Sequence, residues 1–444
     1  MKLHRIVWTA VAGVFLSGWT AAGAELVKPA WLTDCSVGVK EGYDNNVFQS
    51  GADAKYLPAA YTAPAGSVVA LKDQYSWITT VSPKVGVNFA PFADAPTNLP
   101  LLSLAYAPDF AFYHDQTSES FNAHRVLTAV KAATERGTLG VDNQFTYVDG
   151  NGMGPFYPGG FVSAVATSTA RERRRQIQDR ANFSVQFDQE KWFVRPVASL
   201  LYYNLMTEQL NVTGYQNYED RYDVNGGADF GYRLTPQFAA TLGYRYGHQY
   251  QQQFSFSPYS SSSDYQRVLA GIEGKPWSWL SVKMQSGPDF RSYQGDSASH
   301  ITPVNDLQPV KYYGDALVTA TFAPENTLMF KYKLWQWVSG NGKVPYMDGA
   351  YELAWHRKLT DRLGFDLGGK FISLDYAGGN LPACNRHDLQ YTVSSGVSYA
   401  VNSHVSISLT GLLDWGRNAA DNVVNPSTRE FNQQLVSLGT QWKF

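Results

Sequence analysis

The chain has 444 residues, and its 36 basic and 38 acidic side chains give a net charge of −2. This balance argues against nucleic acid as a partner, and two cysteines in 444 residues exclude a disulfide scaffold. The chain is mildly polar, with a mean hydropathy of −0.29, yet 14% of its residues are aromatic. That composition is unusual for a soluble enzyme. It is typical of a membrane protein whose wall is a single layer of residues. Polar side chains then lie on the inner face, apolar side chains on the outer face, and aromatic residues at the two membrane interfaces.

The first 24 residues have the three parts of a secretory signal peptide. A basic start at Lys2–Arg5 precedes an apolar stretch, and Ala22–Ala24 has the A-x-A form of a cleavage site. A membrane-spanning helix needs about 20 apolar residues, and this stretch is shorter. No later apolar stretch is long enough to span a membrane as a helix. We therefore predict that residues 1–24 are cleaved and that residues 25–444 form a single domain.

Long strands with alternating polar and apolar side chains follow one another along the rest of the chain. In residues 221–233, for example, Tyr222, Val224 and Phe230 interleave with Arg221 and Asp223, and alternate side chains of a strand lie on opposite faces. The predicted strands cover residues 35–48, 74–90, 101–113, 125–133, 138–149, 171–188, 192–203, 218–234, 238–251, 265–275, 280–293, 312–323, 328–338, 351–359, 363–376, 387–401, 405–415 and 430–444.

Strand number, strand length and connection length all favour one fold class. About eighteen strands, many of ten or more residues, fit a bacterial membrane barrel better than a sandwich, whose strands average about 5–6 residues. Short turns alternate with long loops, of which Ser50–Asp73 and Gly150–Ala170 could constrict a pore. We predict an all-β, antiparallel, up-and-down transmembrane barrel in the bacterial outer membrane. Its turns and both termini would lie in the periplasm, and its long loops outside the cell.

The last strand carries a further signal. Val436, Leu438, Thr440, Trp442 and Phe444 share one face, and the chain stops on the terminal aromatic residue. A C-terminal amphipathic strand that ends in Phe resembles the sorting signal read by the barrel assembly machinery of Gram-negative bacteria. We therefore predict that Trp442 and Phe444 form an assembly signal, and that this strand pairs with the first strand to close the barrel.

The segment Gly42-Tyr43-Asp44-Asn45-Asn46-Val47-Phe48 resembles the opening strand of the beta-barrel porin 2 family. Turn-like stretches at residues 82–86, 233–237 and 358–362 are similar in character, and the resemblance covers nearly the whole mature chain. It implies an outer-membrane barrel of the kind associated with exopolysaccharide and PEP-CTERM-type systems. It also implies a role in the secretion or uptake of polysaccharide, and it brings no catalytic residues.

Strand parity predicts which charged residues line the lumen, where charge sets selectivity. The basic candidates are Arg180, Arg195, Arg221, Arg233, Arg245, Lys283, Arg291, Lys331, Lys333 and Lys370, and the acidic ones are Asp142, Asp188, Asp223, Asp229, Asp289 and Asp366. One interpretation is a basic track that guides an anionic solute. The alternative, which we favour because polar lumens are general in barrels, is a set of salt bridges that brace the inner wall.

No catalytic, cofactor or metal motif is present, so we predict no enzyme and no cofactor. The chain lacks G-x-S-x-G and H-E-x-x-H, and a hydrolase would need a Ser–His pair converging on the wall. Cys35 and Cys384 are predicted at opposite ends of a wall about 25 Å tall, and therefore as free thiols.

The leading functional hypothesis is a porin-like channel for a hydrophilic solute. The alternative is a non-conducting barrel that serves as an envelope anchor or as an interaction scaffold for glycan or partner proteins. The expected partners are outer-membrane lipid and lipopolysaccharide, the assembly machinery and, as cargo, polysaccharide.

Overall fold

A computed structural model describes residues 28–49, 74–92, 99–151, 174–206, 220–252, 262–293, 310–323, 325–338, 345–376, 387–419 and 430–444. The predicted signal peptide, the loops 50–73 and 152–170 and Cys384 lie outside these residues. Within them the structure is all-β, with two single-turn 3-10 segments at Ala90–Phe92 and Thr117–Glu119. No helix in the described part of the chain is long and apolar enough to cross a membrane.

Nineteen strands form one antiparallel sheet that closes on itself. They are β1 (Leu32–Asp44), β2 (Ser76–Asn88), β3 (Leu101–Tyr106), β4 (Asp109–Tyr113), β5 (Phe121–Thr134), β6 (Gly137–Asn151), β7 (Arg174–Asp188), β8 (Trp192–Asn204), β9 (Arg221–Thr235), β10 (Phe238–Gln251), β11 (Ser263–Trp277), β12 (Leu280–Tyr293), β13 (Val310–Ala323), β14 (Asn326–Trp337), β15 (Tyr346–Lys358), β16 (Leu363–Tyr376), β17 (His387–Ala400), β18 (Val405–Asn418) and β19 (Phe431–Lys443).

The barrel has eighteen wall positions because β3 and β4 occupy one position between β2 and β5. The interruption falls at Ala107 and Pro108. Proline has no N–H to donate to the ladder and is disfavoured inside a sheet. The prediction of one continuous strand over residues 101–113 is therefore wrong in this detail, while the predicted count of about eighteen strands is confirmed.

The first and last strands close the barrel, as predicted. Their antiparallel register runs from Ser36↔Lys443 to Asp44↔Leu435. One further backbone bond, from the amide of Phe444 to the carbonyl of Cys35, spans 2.9 Å. Closure leaves no free sheet edge at this joint, and an open edge is not tolerated in lipid.

The two faces of the wall differ as the alternation predicts. Large apolar side chains such as Phe230, Leu242 and Leu409 are exposed on the outer face, while Asp229 and Gln433 on the inner face are buried. An exposed apolar outer face is stable only against lipid. The fold is therefore that of a β-barrel of the bacterial outer membrane.

Connections differ between the two ends of the barrel. The end with Leu32 and Lys443 carries tight turns, such as residues 135–136, 236–237 and 278–279, and we call it the turn end. The opposite end carries most of the long connections, including residues 45–75 and 294–309, and we call it the loop end. Several strands reach further toward the loop end than predicted: β5 begins at Phe121 and β15 at Tyr346, where buried apolar inner residues hide the alternation.

Candidate functional site

The lumen contains a water-accessible cavity of about 580 Å³ between β5 and β14. Neutral hydrogen-bonding side chains in its lining include Asn182, Ser199, Asn225 and Gln285. Its charged lining residues are Lys131, Arg180, Arg195, Arg245, Arg267, Lys283 and Lys333 together with Asp142, Asp223, Asp229, Glu273 and Asp315. Seven basic groups against five acidic groups leave an excess of positive charge around the cavity.

Arg195 on β8 is the centre of one ion-pair network across four neighbouring strands. Its guanidinium contacts Asp229 on β9 at 3.0 Å and Glu273 on β11 at 2.7 Å. The other oxygen of Asp229 accepts a bond from Arg245 on β10 at 2.6 Å. A planar guanidinium suits this arrangement because its donors reach two carboxylates at once.

A second network lies nearer the loop end and is almost fully buried. Asp289 on β12 accepts hydrogen bonds of 2.8 Å from Arg267 and Arg291. The guanidinium groups of both arginines lie over the ring of Tyr265, at 4.0 and 4.9 Å from its centroid. The Tyr265 hydroxyl in turn donates to Asp223 at 2.9 Å. Buried charges are stable only when paired and hydrogen-bonded in this way.

The lysines of the cavity differ from its arginines. Lys131 and Lys283 are exposed to the lumen and have no ion pair among the described residues. The ammonium group of Lys333 lies 4.3 Å from the ring centroid of Trp335. Lys131 and Lys283 therefore supply positive potential that the paired arginines do not.

All sixteen charged residues predicted to line the lumen lie on the inner face. Eight line the cavity: Asp142, Arg180, Arg195, Asp223, Asp229, Arg245, Lys283 and Lys333. Arg221 and Arg291 are buried near the loop end. Arg233 pairs with Asp188 near the turn end, and Asp366 pairs there with His356. Lys331 and Lys370 interact with Glu352.

Parity reasoning missed four charged lining residues, Lys131, Arg267, Glu273 and Asp315. Arg267 and Glu273 alternate with Val268 and Ile272, which are exposed on the outer face, so the same signal could have found them. Parity also places Trp335 on the face of Lys331 and Lys333, although an inward tryptophan departs from the simple rule of a polar lumen.

Near β1, apolar residues fill part of the lumen at the loop end. Val47 and Phe48, which follow β1, pack in a buried cluster with Ile78, Tyr113 and Val148 from the inner faces of β2, β4 and β6. The adjacent Gln49 donates to Gln433 at 2.9 Å and is completely enclosed. This part of the mouth is thus closed by side chains of the described residues.

A Ser–His pair does form on the wall. Ser373 Oγ and His387 Nε2 lie 2.9 Å apart on the outer face of β16 and β17. His387 makes no ion pair with a carboxylate among the described residues, whereas a catalytic base is usually oriented by a third group. No cluster of three or more metal-ligating side chains occurs in the described part of the chain. Cys35 is a free thiol, as predicted.

Trp442 and Phe444 lie together where the chain ends, with ring centroids 6.3 Å apart in an edge-to-face arrangement. Trp442 projects from the outer face and is 37% exposed. The aromatic pair therefore belongs to the surface of the closing strand. Its role as an assembly signal stays a prediction.

The architecture defines the class: a closed antiparallel barrel with an apolar outer face and a charged lumen. Solved structures of similar fold include OccAB2 from Acinetobacter baumannii, at 12% identity over 94% of this chain and 100% of that chain, with a TM-score of 0.45. Another is OpdO from Pseudomonas aeruginosa, at 12% identity, 93% and 97% coverage and a TM-score of 0.41.

The siderophore receptor PirA from Pseudomonas aeruginosa is similar at 9% identity, with 94% of this chain and 81% of that chain covered and a TM-score of 0.38. No protein-family model matches the sequence, and no curated protein matches it. The resemblance to the beta-barrel porin 2 family therefore stays a prediction.

Proposed function

We propose that the protein is an outer-membrane channel for a small hydrophilic solute, with the turn end in the periplasm and the loop end outside the cell. The observation that carries this proposal is the charged lumen cavity of about 580 Å³. A packed anchor domain has no need of such a space, and ligand pockets commonly measure about 300–1,000 Å³.

Lumen charge supports a preference for anions. Arg195, Arg245 and Arg267 are largely neutralised by their carboxylate partners, so they brace the wall as much as they attract solute. Lys131, Lys283 and Lys333 add positive charge beside neutral hydrogen-bonding groups. Acidic saccharide units fit this chemistry, and they agree with the polysaccharide cargo that the sequence resemblance implies.

The second candidate function is a non-conducting scaffold for glycan or partner proteins. The buried cluster around Val47 and Phe48 favours it, because this cluster fills part of the lumen at the loop end. In the channel proposal the same cluster narrows the mouth and contributes to selectivity.

Conductance in planar bilayers separates the two functions. We expect the purified full-length protein to insert with stepwise currents that are small for an eighteen-position barrel, since its mouth is narrowed. We also expect reversal potentials in a salt gradient to show anion preference. A folded, heat-modifiable barrel that inserts without any current would contradict the channel and support the scaffold.

A further inference from the structure

The wall separates between β13 and β14 at the loop end. The β12–β13 ladder continues to Phe290↔Val310, whereas the β13–β14 ladder stops at Gly314↔Leu334. On its other side β14 stays paired with β15 as far as Trp337↔Tyr346. The last residues of β14 and the first residues of β13 thus lie apart, which leaves a seam in the wall.

Residues 335–338, which we call the β14 tip, lie inside the barrel. Gln336 and Val338 share the outward parity of Phe330, which is 36% exposed, yet they are only 1% and 0% exposed. The amide oxygen of Gln336 accepts a hydrogen bond of 2.7 Å from Tyr293, an inner-face residue of β12. The side of the tip that parity assigns to the outer face therefore packs against the inner face of β12.

The tip reaches strands that are four to six positions away in the wall. Arg221 on β9 donates to the carbonyl of Val338 at 2.7 Å, and Gln249 on β10 donates to the carbonyl of Gln336 at 2.8 Å. The Arg221 guanidinium lies 5.2 and 5.1 Å from the ring centroids of Tyr203 and Trp337. Side chains across the lumen thus replace the hydrogen-bond partners that β13 would supply.

The tip and the seam both border the charged cavity. Trp335 on the tip and Tyr313 on the facing side of the seam line it. On β13, Tyr312 is 66% exposed and Val310 is 43% exposed. These side chains lack the neighbour that a continued ladder would provide. Movement of the tip would therefore alter the cavity and the wall together.

We propose that the β14 tip, together with the start of β15 and the end of β16 that stay paired to it, is a gate with two positions. In the observed position it is tucked across the lumen and latched by Arg221 and Gln249. In the second position the ladder continues at one residue per step, which places Tyr313, Tyr312 and Lys311 opposite Trp335, Gln336 and Trp337. The carbonyls of Gln336 and Val338 are bonded by side chains in the observed position and would be bonded by β13 in the ladder position. Such alternative packings make an element bistable.

In the ladder position the tip lies in the wall and no longer crosses the lumen, which widens the lumen between the cavity and the loop end. This consequence rests on the proposed channel function, whereas the two positions themselves do not. Arg221 acts here as a latch because its guanidinium bonds the tip backbone and is held between two aromatic rings.

A disulfide reports the ladder position directly. In a background with Cys35→Ser and Cys384→Ser, the pair Tyr312→Cys and Gln336→Cys would face each other only in the ladder position. Directly opposite residues have Cβ atoms about 4.5–5.5 Å apart, close enough for a disulfide after small shifts. The control pair is Thr319→Cys and Met329→Cys, which are opposite in the observed ladder and stay so in both positions.

We expect the control pair to oxidise quickly and the test pair slowly but to completion. Arg221→Gln or, independently, Gln249→Leu should raise the rate of the test pair. For Arg221→Gln we expect about tenfold, the effect of losing a hydrogen bond from a charged donor. Failure of the test pair to oxidise in folded protein, under conditions where the control pair is fully oxidised, would overturn the gate.

Single-channel recording tests the consequence. Arg221→Gln should raise the fraction of time in a higher-conductance state about tenfold. Arg136→Gln, at an exposed position in the turn between β5 and β6, should leave that fraction unchanged. If neither the unmodified protein nor any variant conducts, the proposed channel function is wrong, and the disulfide experiment alone tests the gate. The protein could instead conduct normally, with currents that Arg221→Gln and Gln249→Leu leave unchanged and with no disulfide in the test pair. In that case the gate is wrong and the channel function stands.

Discussion

Arg195 illustrates how a charged side chain is stabilised on the inner wall. It is 17% exposed and bonds two carboxylates, of which Glu273 has no other ion-pair partner among the described residues. Removal of Arg195 would leave Glu273 with an uncompensated charge in a confined space. Asp229 would keep Arg245 as a partner.

We predict that Arg195→Met lowers the free energy of unfolding by about 1–3 kcal/mol, less than for a fully buried pair because lumen water screens the charges. Urea unfolding in lipid, followed by tryptophan fluorescence, measures the change. Arg362→Met, at an exposed position in the turn between β15 and β16, is the control and should change stability little. Equal stabilities for the two variants would show that the network does not brace the wall.

We expect Lys131 and Lys283 to affect ion selectivity rather than stability, because they contribute charge without ion pairs. We predict that the double variant Lys131→Gln and Lys283→Gln keeps its stability and shifts the reversal potential in a salt gradient toward cations. Lys358→Gln, outside the cavity and paired with Asp361 in a turn, is the matched control. If the double variant and the control have the same ion preference, the cavity lysines do not set selectivity.

At the scale of the element, β19 combines two properties. Its register with β1 closes the barrel, and its last aromatic residues lie at the surface where the chain ends. The alternation of residues 430–444 was sufficient to predict both the strand and its partner, because a barrel with an even number of antiparallel strands must join its first and last strands.

We predict that deletion of Phe444 reduces the amount of assembled barrel in the membrane and leaves the ion preference of the assembled fraction unchanged. Phe444 contributes one backbone bond to Cys35 and a surface ring, and neither lies at the cavity. Heat-modifiable mobility on gels measures assembly, with Lys443→Gln as the control. Normal assembly with altered conductance would contradict this assignment.

Not every element was predictable from its own residues. The interruption between β3 and β4 follows from Pro108, and the absence of a proline N–H could have indicated it. The seam at β13 and β14 has no comparable local signal. Residues 328–338 alternate regularly enough to predict one strand, and nothing in them indicates that the last residues turn inward.

For the whole molecule, an eighteen-position wall encloses more space than its own side chains can fill. The described residues occupy part of that space in two ways, through the cluster around Val47 and Phe48 and through the β14 tip. The cavity of about 580 Å³ lies between β5 and β14, where the tip limits it. In the proposed channel, these inward segments limit passage as much as the width of the barrel does.

The sequence by itself determined the strand count, the two faces of each strand and the closing pair. Alternation with a period of two is a local property, and it decides which face every side chain occupies. It therefore identified Arg195, Asp229 and Arg245 as inner-face residues without identifying their partners.

Only the tertiary structure decided which charges pair and where the lumen narrows. The bond between Arg221 and Val338 joins residues 117 positions apart, and its formation depends on how the barrel closes. Parity assigns a side chain to a face, whereas a contact across the lumen depends on the distance between strands that are not neighbours in the wall.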